Sequence, residues 1–359
     1  MNNLTLKVTG IALYFSMMKK CTSTDIARLC GCSQTTVSRV LNAHPSVDPR
    51  TREAVLACAR ASGYPIRNRH GKLRIGIVFS RESTVDSFQA MALNALKDAI
   101  HRHGHRMEIV FNEDLDSLND HPVSGAIAVT GDATLNRRWA ETTILPLIRF
   151  GAKGDKANGI YSVFSDESTL VGRAVRELSR AGHRRIALFL RRSRDKDDTL
   201  SENVSEPFRR AMKKYLPDEK EILISYGEKD VSPVQRLDLL LKKKITALVV
   251  IPGDTVLELC AGIRQRNLRV PDDISIVSRE FDRVLEFCDP PVSAMRPDYE
   301  AMSEAAVSML EKALQGRPGA LKDRRIPGSF IFRSSIRDLT LPPARSGAGR
   351  RRKTRIPAA

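Results

Sequence analysis

The stretch GCSQTTVSRVLN at residues 31–42 combines a turn glycine, hydrogen-bonding side chains and an apolar stripe. Three apolar residues recur at helical spacing and are expected to face a core: Val37, Val40 and Leu41. Four polar residues then point outward: Gln34, Thr35, Ser38 and Arg39. Glutamine can pair with adenine through two hydrogen bonds, arginine can pair with guanine, and a hydroxyl or methyl group can contact thymine. These residue types therefore fit the base edges of DNA, although a solvated helix face would use the same residues.

Three short helices are predicted to position these side chains. The first spans residues 22–30, with hydroxyl residues and an acid at its start, and Gly31 allows a sharp turn after it. Ser33 then caps a second helix at residues 34–42, whose free N–H groups suit a phosphate. A third helix is predicted within residues 48–63. Two helices joined by a tight turn and followed by a third form a helix-turn-helix.

The positive charge of the chain is concentrated at its two ends. Of the formal net charge of +17, residues 20–74 carry +7, residues 345–359 carry +6 and residues 1–19 carry +2. A basic module attached to a nearly neutral body favours double-stranded DNA as the partner of the first helices. The tail at residues 338–359 is expected to be disordered, and either adds non-specific DNA affinity or solubilises the chain.

Two groups of residues invite a metal interpretation, and in both a simpler one is preferred. Four cysteines lie near the first helices: Cys21, Cys30, Cys32 and Cys58. They lack the paired C-x2-C spacing of a zinc site, and Cys30, Cys32 and Cys58 fall where a small helical domain needs small apolar side chains. Three histidines follow in HRHGH: His101, His103 and His105. A polar helix end with a glycine stop explains them, so no metal site is predicted.

The apolar start of the chain, residues 1–19, is predicted to be neither a membrane span nor an export signal. Lys7 interrupts it, it is too short to cross a bilayer, and no small-residue cleavage motif follows. Met17 or Met18 is an alternative start. Nothing downstream approaches 18 consecutive apolar residues, so we expect no membrane partner and a cytoplasmic, nucleoid-associated protein.

The segment TSTDIARLCGCSQTTVSRVLNAHPSVDPRTREAVLACARASGY resembles, nearly position by position, the headpiece of the lactose/galactose repressor family of bacterial transcription regulators. The resemblance implies that three residues read bases: Gln34, Thr35 and Arg39. It implies that others contact the DNA backbone: Thr22, Ser33, Thr36, Ser38 and Asn42. Tyr64 is similar to a headpiece residue near the phosphates. The predicted DNA-binding domain spans residues 20–64.

The linker at residues 65–73 departs from the family pattern. The family has an Ala/Arg/Leu-rich segment there that folds into a hinge helix on DNA and wedges a leucine into the minor groove. This chain has PIRNRHGKLR, without alanine and with a glycine that disfavours a helix. We therefore expect the wedge to be missing or rebuilt, with Arg67 and Arg69 holding phosphates non-specifically.

From residue 74 onward, short apolar runs alternate with helical patterns, which is typical of buried parallel strands in βα units. Two such arrays imply two doubly wound lobes facing each other across a cleft. No G-x-G-x-x-G, Walker loop or G-x-S-x-G motif interrupts the strand ends, so neither an enzyme nor a bound cofactor is predicted.

The resemblance continues through this body to residue 337, in AGHRRIAL, LRVPDDISIVSREFD and FRSS. It implies an all-α helix-turn-helix headpiece followed by an α/β, periplasmic-binding-protein-like core at residues 74–337. Lobe 1 is predicted at about 74–161 and 293–322, and lobe 2 at about 162–292 and 323–337. The lobes are expected to exchange their last elements, so that the helix at 298–314 returns to lobe 1 and SFIFR pairs in lobe 2.

The effector cleft is where the resemblance weakens. Asp282 stands at the family's sugar-binding aspartate, Phe164 at an aromatic of the pocket, and Asp254 at half of an Asn-Asp pair. Four other anchor positions have lost their polar or glycine residue and hold Gly151, Val204, Pro207 and Gly253. Buried sugar hydroxyls without partners are costly, so an ordinary free sugar is disfavoured. Ser80 and Arg81, with Glu82, could serve another ligand, such as an anionic carbohydrate derivative, whereas simple solvation explains Arg81 equally well.

The favoured function is a sequence-specific transcription regulator. It is expected to be a homodimeric repressor that binds a two-fold operator and is controlled by a small molecule in the cleft. A solute-binding protein would share the body but would need an export signal and no headpiece. A regulator with a vestigial cleft remains a further alternative.

Overall fold

The structure is a computed structural model that describes residues 21–41, 44, 46–62, 64, 72–81, 87–119, 123–191, 199–226, 232–251, 253, 255–279, 283–315 and 321–342. Within these ranges no helix has the length and apolar character needed to cross a bilayer. The described residues form a helical headpiece and two lobes, each built around one six-stranded sheet.

The headpiece consists of three helices, as predicted: α1 (Ser23–Cys30), α2 (Gln34–Leu41) and α3 (Pro49–Ala61). Thr22 caps α1 in a capping box with Asp25, and Gly31 ends α1 with a φ of 64°, in the left-handed region that favours glycine. Five side chains of the shared core are at most 1% exposed: Ile26, Val37, Val40, Val55 and Leu56. The apolar stripe of α2 therefore anchors this helix from behind, as its spacing predicts.

Lobe 1 contains six strands: β1 (Arg74–Phe79), β2 (Arg106–Phe111), β3 (Gly125–Ala128), β4 (Leu147–Phe150), β5 (Tyr161–Ser165) and β11 (Arg324–Ile326). Their order is β11-β5-β4-β3-β1-β2, and every pair is parallel. The helices of this lobe are α4 (Ser87–Arg102), α5 (Leu135–Thr142) and α10 (Tyr299–Leu314). Helices α4 and α10 pack against each other and against the apolar core on one face of the sheet.

Lobe 2 repeats the arrangement with β6 (Ile186–Arg191), β7 (Ile222–Tyr226), β8 (Ala247–Ile251), β9 (Ser275–Arg279), β10 (Ser293–Arg296) and β12 (Ser329–Ile331). The order is β12-β10-β9-β8-β6-β7, and only β12 is antiparallel to its neighbour. Its helices are α6 (Glu167–Arg180), α7 (Thr199–Tyr215), α8 (Pro233–Lys242) and α9 (Thr255–Gln265). Apolar clusters on the two faces of the sheet match the predicted doubly wound architecture.

The last elements of the body lie on different lobes. Helix α10, capped by Asp298, packs on lobe 1, and β12 from SFIFR pairs with β10 in lobe 2. The predicted lobe boundaries, however, need correction by four residues at each crossing. The chain leaves lobe 1 after residue 165, leaves lobe 2 after 296 and leaves lobe 1 again after 326. Each crossing follows a strand of only three to five residues, too short for a clear apolar pattern.

Two local features concern the helices. Helix α7 begins at Thr199 and contains Pro207. Val204 and Phe208 are fully buried on its inner face, so packing on lobe 2 maintains the helix across the proline. Between β2 and β3 the described residues contain only a short 3₁₀ helix, Leu115–Asn119, in place of a full α-helix.

The headpiece also contacts lobe 1 directly. Ile144, which follows α5, packs against the apolar core of the headpiece, and α3 lies near α5. The sequence alone did not predict this contact, because the two segments lie about 90 residues apart. Residues 65–71 of the linker, where the hinge helix of the family is predicted to be missing, lie outside the described residues.

Candidate nucleic-acid interface and effector cleft

The outer face of α2 carries the predicted base-reading residues. Gln34, Thr35 and Arg39 are exposed, whereas Val37 and Val40 on the opposite face are buried. Ser33 and Ser38 are also exposed, and Thr36 is partly exposed. The structure therefore brings together the predicted contact residues of α2 on one accessible surface, which we call the recognition face (residues 33–36, 38 and 39).

Hydrogen bonds fix the amino-terminal end of the recognition face. The Ser33 hydroxyl accepts from the Thr36 backbone N–H at 3.0 Å and contacts the Thr36 hydroxyl at 2.8 Å, so Ser33 is the predicted N-cap. Gln34 Nε2 donates to Ser23 Oγ at 3.0 Å, which joins the start of α2 to the start of α1. The Gln34 amide is thus oriented before any DNA is bound.

Thr22 and Tyr64 lie at the two ends of the headpiece in the chain. The exposed Thr22 hydroxyl caps α1 by accepting from the Asp25 N–H at 3.3 Å. Hydrogen bonds from Thr22 lower the pKa of the Asp25 carboxyl, which keeps the cap charged at the positive end of the helix. Tyr64 is partly buried against the headpiece core. Three other predicted contacts, Asn42, Arg67 and Arg69, lie outside the described residues.

The headpiece cysteines pack as the small apolar side chains that the sequence predicts. Cys21 and Cys58 are buried in the core, with Cys30 and Cys32 against it. Cys30 shares a hydrogen bond with Cys58, which raises the pKa of the Cys30 thiol. Cys30 also contacts the Ala54 carbonyl, with 3.7 Å between sulfur and oxygen.

At the carboxyl end of β1, Ser80 and Arg81 lie beside two acidic residues. Ser80 Oγ donates to Glu113 Oε1 at 2.6 Å, and the Arg81 backbone N–H donates to the same carboxylate at 3.1 Å. The Arg81 guanidinium lies 3.8 Å from Asp114 and 4.6 Å from the centre of the Phe111 ring. These carboxylates offset the positive charge of Arg81, so the arrangement does not favour an anionic ligand at this position.

An aromatic ring fills the space beside Gly151, where the family pattern has an aspartate. A Cβ atom on Gly151 would lie 2.6 Å from Phe88 Cζ, and Gly151 has a φ of 78°. The Phe88 ring also lies 6.1 Å from the Phe150 ring and 6.0 Å from the Tyr299 ring, between centres. The loss of the aspartate therefore accompanies the packing of Phe88 from α4 onto the end of β4.

A buried ion pair of lobe 2 meets this ring across the cleft. Arg279, at the end of β9, donates to Glu167 at 2.8 Å, and both side chains are 9% exposed. The Arg279 guanidinium lies 6.0 Å from the Phe88 ring centre, so it joins lobe 2 to lobe 1. This contact was not predicted from the sequence, where its signal is the pair of extra charged residues in VSREFD.

The remaining predicted effector residues are less informative. Phe164 is partly exposed on β5, and the Arg325 guanidinium lies 5.8 Å from its ring centre. Asp254 and Asp282 lie outside the described residues. The structure thus brings Ser80 and Arg81 to the end of β1 and places Phe164 on another strand, β5.

Arg149 is a second buried cation that the sequence analysis missed. It is 1% exposed on β4 and donates to the carbonyls of Thr130 at 2.8 Å and Asp132 at 3.0 Å. It also donates to Asn136 Oδ1 at 3.1 Å. Burial lowers the pKa of its guanidinium to about 10. Arg149 therefore holds the loop after β3 at the carboxyl edge of the sheet.

Comparisons with known proteins agree with these two parts. Residues 22–65 match the family model "Bacterial regulatory proteins, lacI family", and residues 175–336 match "Periplasmic binding protein-like domain". The HTH-type transcriptional regulator reg1 of Streptomyces lividans is 28% identical over 342 residues, which cover 87% of this chain and 95% of that protein.

Solved structures share the fold at lower identity. The lac repressor dimer bound to operator and the anti-inducer ONPF aligns with a TM-score of 0.63 and 22% identity, covering 89% of this chain and 100% of that chain. The complex of the transcriptional regulator CelR with cellobiose aligns with a TM-score of 0.62 and 21% identity, covering 88% of this chain and 100% of that chain. The headpiece, the two-lobed body and these matches together indicate a DNA-binding transcription regulator that combines a lacI-family helix-turn-helix domain with a periplasmic-binding-protein-like domain.

Proposed function

We propose that this protein is a homodimeric repressor that inserts α2 into the major groove of a two-fold operator. The observation that carries the proposal is the recognition face, in which Gln34, Thr35 and Arg39 are exposed while the opposite side of α2 is buried. These side chains match the hydrogen-bonding groups of base edges, and the headpiece carries the excess positive charge that phosphates require.

Base reading is assigned to Gln34, Thr35 and Arg39, and phosphate contacts to Thr22, Ser33, Thr36, Ser38 and Asn42. Tyr64, Arg67 and Arg69 would hold phosphates around the linker. Each half-site would then be read mainly through one helix, and the two half-sites would be related by the dimer axis. Such a protein acts on DNA without being an enzyme and works in the cytoplasm at the nucleoid.

Exposed apolar residues support the homodimer. Strand β2 ends the sheet of lobe 1, and Met107 and Ile109 on it are 37% and 51% exposed. Strand β7 ends the sheet of lobe 2 in the equivalent position, and Leu223 on it is also exposed. Exposed apolar residues on two corresponding edge strands are suited to burial against a second copy.

The effector is proposed to be a carbohydrate or carbohydrate derivative, bound between the lobes near Ser80, Arg81, Phe164, Asp254 and Asp282. Support comes from the similar CelR structure, which is a cellobiose complex. A specific observation favours a second candidate, a regulator whose cleft no longer binds a ligand. Phe88 packs onto Gly151 and meets the buried Arg279–Glu167 pair, so this part of the cleft is closed by the protein's own side chains.

Selection of random duplex DNA by the full-length protein at moderate ionic strength tests the DNA-binding proposal. We expect enrichment of one sequence with two-fold symmetry. Failure to enrich any sequence would contradict the proposal.

A thermal-shift screen with sugars, sugar phosphates and nucleobases separates the two candidates for the cleft. A responsive cleft predicts a ligand that raises the melting temperature of the wild type but not of the Asp282→Ala variant. The absence of any hit across these classes favours the closed cleft.

A further inference from the structure

Four titratable side chains from two elements meet on lobe 1, far along the chain from the recognition face. His103 and His105 follow the end of α4, and Glu304 and Glu311 lie on α10. The two glutamates are seven residues apart, which places them two turns apart on one face of the helix. We call these four residues the His-Glu cluster.

The distances within the cluster are short. His103 Nδ1 lies 3.0 Å and His105 Nε2 lies 2.8 Å from the same oxygen, Glu311 Oε1. On its other side, His103 Nε2 lies 2.8 Å from Glu304 Oε2. Among the described residues, the set formed by His103, His105 and Glu311 has three potential ligand atoms within 4.8 Å of one another.

We propose that His103, His105 and Glu311 form a binding site for a borderline divalent cation of the Zn²⁺ type, with Glu304 as a positioning residue. In a tetrahedral zinc site with bonds of about 2.0–2.1 Å, neighbouring ligand atoms are separated by roughly 3.3 Å. The separations from Glu311 Oε1 are a few tenths of an ångström smaller. A small outward movement of these side chains therefore makes room for a cation in place of the shared protons.

The chemistry of the ligands selects the type of ion. Two imidazole nitrogens and one carboxylate oxygen suit Zn²⁺, Ni²⁺ and Co²⁺, whereas Mg²⁺ and Ca²⁺ prefer sites made of oxygen atoms. The His105 side chain is 9% exposed, while those of His103 and Glu311 are 25% and 28% exposed. The site is therefore buried on one side and open on the other, where water can complete the coordination.

Glu304 completes the arrangement without contacting the cation. Its contact with His103 Nε2 keeps a proton on that nitrogen, so that Nδ1 is left to bind the ion. Arg102 holds the Glu304 carboxylate in turn, with a distance of 2.5 Å between Arg102 Nη2 and Glu304 Oε1. A carboxylate that orients a histidine ligand in this way is common in zinc sites.

The site lies where the chain enters lobe 1 from the headpiece. The backbone N–H of Leu73, the residue before β1, donates to His105 Nδ1 at 3.4 Å. When Nε2 binds a cation, the ring proton moves to Nδ1, and the Leu73 N–H loses its acceptor. Binding is thus expected to weaken a hydrogen bond at the end of the linker, which gives a local readout of occupancy.

Isothermal titration calorimetry of metal-stripped full-length protein with Zn²⁺ tests this site independently of DNA and effector binding. Because cysteine thiols can also take up added Zn²⁺, the comparison rests on the one equivalent whose affinity falls in the variants. We expect His105→Gln and Glu311→Gln to weaken one equivalent at least about 10-fold and Glu304→Gln to weaken it about 10-fold. The exposed His101 lies in the same histidine tract but outside the cluster, so His101→Gln is the matched control.

Two further measurements keep the test decisive. Thermal melting of the metal-free variants shows whether each substitution leaves the fold intact, and hydrogen exchange of the Leu73 amide should increase with Zn²⁺ in the wild type. Unchanged stoichiometry and affinity in folded His105→Gln and Glu311→Gln proteins would overturn the proposal. Equal weakening by His101→Gln, or equal binding of Mg²⁺ at the same equivalent, would overturn it as well.

Discussion

Arg39 lies two residues after the fully buried Val37, and this alternation shows how α2 divides its side chains between two tasks. The apolar side chains hold the helix on the headpiece, and the polar side chains face outward, where DNA can contact them. Gln34 is additionally oriented by Ser23, so part of the entropic cost of ordering its amide has been met before binding.

Replacement of Gln34 or Arg39 by alanine should each cost about 1–3 kcal/mol of binding free energy on the selected operator, because a base-edge contact is lost. The loss on random DNA should be smaller, and fluorescence anisotropy on both duplexes measures the difference. Arg269→Ala removes the same charge from an exposed position on lobe 2 and is expected to change neither value. Equal losses on both duplexes would mean that the two side chains contact only phosphates.

Arg149 raises a different question at the scale of one residue, because a buried cation is expensive unless its hydrogen bonds compensate. Arg149→Met keeps the approximate length of the side chain but leaves the Thr130 and Asp132 carbonyls without this donor. We expect a loss of roughly 2–4 kcal/mol in the free energy of unfolding, measured by chemical denaturation. Arg137→Met, at a side chain 75% exposed on the neighbouring helix α5, should change it by less than about 0.5 kcal/mol. A neutral or stabilising Arg149→Met would show that the desolvation cost exceeds the hydrogen bonds.

At the scale of elements, the long amphipathic helices and most of the buried strands were predictable from periodicity. The short strands β5, β10 and β11 were not, and the lobe boundaries were misplaced for the same reason. The recognition face was predictable because its residues are adjacent in the chain. The contact among Phe88, Gly151 and Arg279 was not, because it depends on how separate elements approach each other.

His183 illustrates how one side chain joins several elements of lobe 2. Its Nδ1 lies 3.0 Å from Thr246 Oγ1, before β8, and its Nε2 lies 3.1 Å from the Arg337 carbonyl in the carboxyl-terminal segment. Burial lowers the pKa of His183, which outweighs the raising effect of the Arg337 carbonyl. The folded protein thus keeps this imidazole neutral below the pH at which the unfolded chain binds a proton.

The contribution of His183 to stability should therefore be complete above about pH 6.5 and decrease as the pH falls through that value. We expect the melting temperature of the wild type to fall more between about pH 7.5 and pH 5.5 than that of His183→Gln. Glutamine can retain hydrogen bonds but does not titrate in this range. The two proteins have the same carboxylates, so the difference between their pH profiles reports the titration of His183 alone. Parallel pH profiles would contradict the assignment.

At the scale of the whole molecule, dimerisation and DNA binding are expected to depend on each other, because a two-fold operator requires two headpieces. Ile109→Asp places a charge on the exposed edge strand β2 and should disrupt the dimer, as measured by analytical ultracentrifugation. Operator affinity should fall together with the dimer fraction. Leu341→Asp, at an exposed apolar residue near the carboxyl terminus, is the matched control. An Ile109→Asp protein that remains dimeric would place the interface elsewhere.

The packing of Ile144 against the headpiece core has a geometric consequence for such a dimer. A headpiece that packs against lobe 1 through a side-chain contact stays at a fixed distance from lobe 1 of the same subunit. The spacing between the two half-sites on DNA is then determined by the separation of the paired first lobes. A rotation of one subunit against the other would change that separation. The two α2 helices would then no longer match the spacing of the two major-groove half-sites.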